Sequence, residues 1–103
     1  MINRELINPQ SIVVVGGSNN IHKPGGKIVR NILDGKYKGE LRVVNLHETD
    51  VQGVKSYPSV NDIPNTELAI MAIPSKGCPD AMEILTTKKG VKAFVVISAG
   101  FGE

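Results

Sequence analysis

Unbroken apolar runs punctuate this chain. Ile12-Val13-Val14-Val15 stops at Gly16-Gly17, Leu68-Ala69-Ile70-Met71-Ala72-Ile73 stops at Pro74-Ser75, and Ala93-Phe94-Val95-Val96-Ile97 stops at Ser98-Ala99-Gly100. The first of these, without alternation, reads as a strand buried on both faces, the habit of parallel sheets. Between them the period changes to that of a helix. Ile28, Val29, Ile32 and Leu33 fall on one stripe of residues 25–33, with Lys27, Arg30 and Asn31 outside it. Asp34-Gly35 closes this helix, with Gly35 expected in the left-handed position just past its end. Ala81, Ile84 and Leu85 form the inner stripe of a second helix that begins near Cys78-Pro79-Asp80 and is closed by Lys88-Lys89-Gly90. Pro79 suits the first helical position, and Asp80 favours the positive end of the helix dipole.

The pattern predicts strands over residues 11–16, 41–45, 68–73 and 92–97, a short extended piece over 54–58, and one helical turn at 59–64 stopped by Pro64. Residues 46–53 read as a polar loop, and residues 2–10 as a lead-in to the first strand. Strands alternating with helices imply an α/β fold: a Rossmann-like parallel sheet with right-handed crossovers and helices on both faces. The sequence closes in a Gly-rich turn where the next helix would begin. Residues 1–103 are therefore expected to form one domain of a longer chain.

Composition narrows the class. With 41% hydrophobic and 21% charged residues the chain reads as an ordinary soluble domain, and without Trp and with two Tyr and two Phe its core must be aliphatic. The same scarcity removes the stacking platforms that nucleic-acid binding would use. A single cysteine, Cys78, excludes an internal disulfide and suits a reducing cytoplasm. No apolar run approaches the ~20 residues needed to cross a bilayer, and the start shows no signal-peptide core. Net charge is only +2, but five of the twelve cations (Lys23, Lys27, Arg30, Lys36, Lys38) lie within one short stretch. That cluster reads equally as a patch for an anionic ligand or as a solvated helix face.

Candidate chemistry gathers at the strand ends, because open α/β sheets bind ligands beyond the carboxyl ends of their strands. The turn after the first strand runs Gly16-Gly17-Ser18-Asn19-Asn20-Ile21-His22-Lys23-Pro24-Gly25 into a helix. Its backbone amides and the helix start can donate to phosphate oxygens, and Lys23 adds a point charge. The dinucleotide fingerprint is absent: eight residues separate Gly16 from Gly25, against four between that motif's outer glycines. Where an NAD site would place an acidic residue, at the end of the second strand, stands Asn45. Both features argue for a phosphate-bearing ligand other than NAD, although an NAD(H)-binding domain is an alternative. His22 and His47 read as exposed loop histidines, Cys78 as a small helix-start residue, and Ser18 as a phosphate donor without the nucleophile elbow. Ser98-Ala99-Gly100 is either a ligand contact or a simple strand-end turn. No catalytic constellation is complete.

Several segments together resemble the opening of the NDP-forming acyl-CoA synthetases, the family of ADP-forming acetate–CoA ligase, which is similar to the α subunit of succinyl-CoA synthetase. They are Asn8-Pro9-Gln10-Ser11-Ile12, Val15-Gly16-Gly17-Ser18, Lys23-Pro24-Gly25, Arg30-Asn31-Ile32-Leu33 and Val44-Asn45. The likeness continues through Gly53-Val54-Lys55-Ser56-Tyr57-Pro58-Ser59-Val60, Ile63-Pro64, Leu68-Ala69-Ile70, Ile73-Pro74, Gly90-Val91-Lys92-Ala93 and Ile97-Ser98-Ala99-Gly100-Phe101. The resemblance implies an N-terminal CoA-binding domain. The turn after the first strand, Gly16, Gly17, Ser18, Asn19, Asn20 and Lys23, would then hold CoA phosphates. Asn45, Ile73-Pro74-Ser75 and Ile97-Ser98-Ala99 would flank the coenzyme.

It further implies a reaction that passes a phosphoryl group from an acyl phosphate through a histidine to a nucleoside diphosphate while CoA takes the acyl group. That histidine, an ATP-grasp part, ATP/ADP and Mg would all belong to domains or a subunit outside these residues. Two departures stand out. The family's Asn-Pro-Lys is Asn45-Leu46-His47 here, without the lysine, and its Gly-Ala-Ser is Gly16-Gly17-Ser18. The same domain in a stand-alone regulatory CoA-binding protein, or as the CoA-binding part of a lysine acetyltransferase, is the remaining alternative.

Overall fold

The computed structural model describes residues 9–97. Strand β1 (Ser11–Val15) runs through the middle of the molecule and is buried at all five positions. Helix α1 (Pro24–Asp34) returns the chain to β2 (Glu40–Val44), and a two-stranded hairpin follows, β3 (Asp50–Val51) and β4 (Val54–Tyr57). A 3-10 turn at Val60–Asp62 leads to β5 (Leu68–Met71), a second at Ser75–Gly77 leads to α2 (Cys78–Lys88), and β6 (Ala93–Val96) completes the order.

The six strands form one sheet in the order β3-β4-β2-β1-β5-β6. β1 pairs in parallel with β2 on one side, Val13 opposite Arg42, and with β5 on the other, Val13 opposite Ala69. The expected parallel sheet holds except at its edge, where β3 runs antiparallel to β4.

Alternation along β1 feeds two cores. Val13 and Val15 join Val44, Ala69, Met71 and Leu85, the last from α2. Ile12 and Val14 join Val43, Leu68, Ile70 and Val29, the last from α1. The helices thus cover opposite faces, and each fully buried valine of β1 contributes about 1.5–3 kcal/mol of transfer free energy. The strand order explains the arrangement. The chain leaves β1 through α1 towards β2 on one side, then crosses back to β5 and β6 on the other. Right-handed connections running in opposite directions place their helices on opposite faces and open a crevice between the carboxyl ends of β1 and β5.

Two local expectations are corrected. Gly35 is not left-handed: its φ is −76°, and Lys36, at φ 57°, takes that conformation instead. The helix runs one residue further than its apolar stripe, through Asp34, so the position past the cap falls on Lys36. The Lys36 amide donates to Leu33 O (3.1 Å) and the Tyr37 amide to Ile32 O (3.3 Å), the paired bonds of a Schellman end. Leu33, placed on the inner stripe, is 36% exposed, and Val29 with Ile28 and Ile32 carries the packing. Helix α2 behaves as its stripe predicts, with Leu85 fully buried, Ala81 and Ile84 packed beside it, and Gly90 left-handed after its end.

Candidate functional site

Gly16 follows β1 directly and ties into the sheet through its amide, which donates to Val44 O at 2.8 Å. Its φ of +93° suits glycine, and a Cβ there would lie 2.6 Å from the carbonyl oxygen of Ala72 at the end of β5. The loop then doubles back, so that the first turn of α1 packs on the strand end it has just left. A side chain at Gly25 would overlap the Gly16 carbonyl. Close backbone approach is what the glycines of this turn provide.

A cavity of about 470 Å³ opens where these segments meet. Gly16, Gly17, Ser18, Lys23, Pro24 and Gly25 form one wall, Asn45 stands at the end of β2, and Ala72-Ile73-Pro74 form the wall beyond β5. It occupies the crevice between β1 and β5, where the strand order reverses.

The start of α1 is chemically open. Lys23 occupies the cap position without a side-chain cap hydrogen bond, and Pro24 has no N–H to offer. The amides of Gly25 and Gly26 are the first helical donors, at the positive end of the helix dipole. With the exposed Lys23 ammonium beside them, this wall suits an anion, and Ile73 and Pro74 opposite suit an apolar moiety. The donor set fits a ligand that carries phosphate at one end and less polar groups at the other.

Of the residues singled out from sequence, Gly16, Gly17, Ser18, Lys23, Asn45, Ile73 and Pro74 come together around this cavity. Asn19 and Asn20 do not line it. Asn19 faces the β3–β4 hairpin, its Nδ2 donating to Asp50 O (3.0 Å) and its Oδ1 accepting from the Gln52 amide (2.7 Å). Asn20 shapes the loop, its amide donating to Ser18 Oγ and its Oδ1 accepting from the His22 amide, both at 2.9 Å. Ser75 opens the 3-10 turn after the cavity wall. Ile97 packs against the core on the α1 face, and its amide donates to Met71 O at 2.9 Å. Ser98 and Ala99 lie outside the described residues. Pro24 and Gly25, read from sequence as the helix start, and Ala72 also line the cavity, without having been named as ligand contacts.

Asn45 is a bracket between loops. Its Nδ2 donates to Gly17 O (2.9 Å), and its Oδ1 accepts from the amides of His47 (2.8 Å) and Glu48 (2.9 Å). Neither His22 nor His47 lines the cavity, and both are exposed. Cys78 is 6% exposed, its Sγ 3.8 Å from both Ile73 O and Pro74 O, which fits its reading as a small helix-start residue. Among the described residues that line the cavity, Ser18 supplies a hydroxyl, Lys23 an ammonium and Asn45 a side-chain amide.

Known proteins share this fold. The sequence profile of the CoA binding domain matches residues 10–102. The chain belongs to the CoA binding domain family. This CoA binding domain is 38% identical over 101 residues to acetate–CoA ligase [ADP-forming] II of Archaeoglobus fulgidus, covering 97% of the chain and 15% of that protein. It is 42% identical over 100 residues to the α subunit of acetate–CoA ligase [ADP-forming] II of Pyrococcus furiosus, covering 95% of the chain and 21% of the subunit. Among solved structures, the dinucleotide-forming acetyl-coenzyme A synthetase 1 of Ca. Korarchaeum cryptofilum, in complex with phosphate and ADP, superposes with a TM-score of 0.85. That match is 36% identical and covers 95% of this chain and 21% of the synthetase chain. The CoA binding domain therefore spans 15–21% of the length of these relatives and is homologous to one part of them. Among the described residues no helix is long and apolar enough to cross a membrane.

Proposed function

We propose that this chain is the N-terminal CoA-binding domain, residues 1–103, of an ADP-forming acyl-CoA synthetase of the acetate–CoA ligase kind. The observation that carries the reading is the cavity at the β1/β5 crevice, where an uncapped helix start, Lys23 and a close-packed Gly turn face the Ile73-Pro74 wall. Phosphates of CoA sit against the amides of the turn and the Lys23 ammonium, and the less polar parts of the coenzyme lie along Ile73 and Pro74. The domain holds and orients CoA. Phosphoryl transfer, with ATP/ADP and Mg, belongs to other domains or a partner subunit that includes an ATP-grasp part. The lone cysteine and the CoA chemistry suit the cytoplasm.

Calorimetric titration of the 103-residue chain with CoA, desulpho-CoA and NADH tests this. Equal binding of CoA and desulpho-CoA, with none of NADH, supports recognition of the nucleotide end. Binding of NADH but not CoA would overturn the reading and bring a redox role forward.

A further inference from the structure

The hairpin turn between β3 and β4 has two residues, Gln52 and Gly53, both with positive φ (52° and 88°). Such a turn favours Asn-Gly or Gly-Gly, so a glutamine in its first place needs compensation from its surroundings. The compensation comes from the cavity loop. Gln52 Nε2 donates to Ser18 O (2.9 Å) and to Gly26 O (3.0 Å), and the Gln52 amide donates to Asn19 Oδ1 (2.7 Å). One side chain thus grips the loop near its beginning and again in the first turn of α1.

We infer that Gln52 is a positioning residue of the ligand site, acting through the cavity loop without lining the cavity itself. The inference rests on the reading of that cavity as the CoA site. No cis peptide occurs among the described residues, so each carbonyl points opposite to the N–H of the next residue. Drawing the Ser18 carbonyl to Gln52 turns the Asn19 N–H away from the hairpin. It also ties up a carbonyl oxygen that would otherwise be free to repel an anion. The second bond, to Gly26 O, fixes the distance between the loop and the uncapped helix start. An anion held by both needs that distance fixed before it binds, because ordering the loop at the moment of binding costs affinity.

Two variants separate positioning from folding. Gln52→Gly removes the side chain and relieves the turn, so the hairpin persists and the unfolding midpoint stays close to that of the parent chain. Its affinity for CoA should fall about tenfold, the loss expected for two hydrogen bonds that order the site. Backbone NMR order parameters should fall across residues 17–20 while those of β1 and β2 stay unchanged. Gln52→Glu keeps the shape but places an ionised acceptor against two carbonyl oxygens. It should bind worse than Gln52→Gly at neutral pH. Relative to the parent at each pH, it should recover as the carboxyl protonates and regains one donor. A Gln52→Gly chain that binds CoA within twofold of the parent, or whose loop stays equally ordered, overturns the inference. If the parent chain itself takes no CoA, the functional reading fails, and the order parameters still decide whether Gln52 holds the loop.

Discussion

Asn45 donates from Nδ2 to the carbonyl oxygen of Gly17 at 2.9 Å, joining the end of β2 to the turn after β1. With its Oδ1 accepting from the His47 and Glu48 amides, one half-buried side chain sets the relation of two loops at the cavity. Asn45→Ala should destabilise the chain by about 1.5–4.5 kcal/mol, the net worth of three modest hydrogen bonds. Asn45→Asp keeps both acceptor bonds and should cost less stability. It also places a carboxylate at the cavity and should weaken CoA binding more than Asn45→Ala does. Urea midpoints and calorimetric affinities should therefore rank the two variants in opposite orders. The same order in both would make Asn45 a packing residue alone.

Lys23 contributes the cation at the cavity wall and is exposed. Lys23→Ala should weaken CoA and desulpho-CoA equally, by about tenfold at low salt, as befits one charge-assisted contact. The loss should shrink as salt rises, because an exposed charge is screened. Unequal losses for the two ligands would move Lys23 away from the phosphates. Fluorescence competition or calorimetry at two salt concentrations reads this directly.

Gly16 is held between a left-handed backbone and the Ala72 carbonyl. Gly16→Ala should cost at least about 2 kcal/mol, from the positive φ together with the displacement of the β5 end. Chemical denaturation measures the loss. Since the same displacement moves the Ile73-Pro74 wall, affinity for CoA should fall with it.

Tyr37 donates its hydroxyl to Pro9 O at 2.8 Å. Burial, helped by the nearby Glu67 carboxylate, raises its pKa above the ordinary phenol value. The folded chain therefore keeps the phenol protonated to higher pH than the unfolded chain does. The resulting stability is complete below the ordinary phenol value and disappears as the pH climbs through the raised one. In a Tyr57→Phe background, where Tyr37 is the only tyrosine, tyrosinate absorbance should appear at higher pH in the folded chain than in urea. Coincident titrations would remove the effect.

Much of the architecture was legible because its causes are local. The unbroken runs at 12–15 and 68–73 read as strands, and they became β1 and β5. The stripe of Ala81, Ile84 and Leu85 became the inner face of α2. The Gly turn, the helix start at Pro24 and the two strand ends at Asn45 and Ile73 also carried their signal in residue type and spacing. The cavity formed where those segments meet.

What the sequence did not disclose depends on partners distant along the chain. Residues 50–57 form a hairpin at the sheet edge although Gln-Gly is a weak turn signal, because Gln52 completes bonds to Ser18 and Gly26 some thirty residues away. Asn19 turned towards that hairpin for the same reason, and Ile97 went to the core. By itself the sequence determined the parallel strands β1, β2, β5 and β6, both helices and the Gly turn between β1 and α1, since burial pattern and backbone chemistry are properties of short stretches. Only the tertiary structure decided which side chains face the cavity and which hold it open, because a hydrogen-bonding side chain takes whichever partner the packing of the sheet brings within its reach.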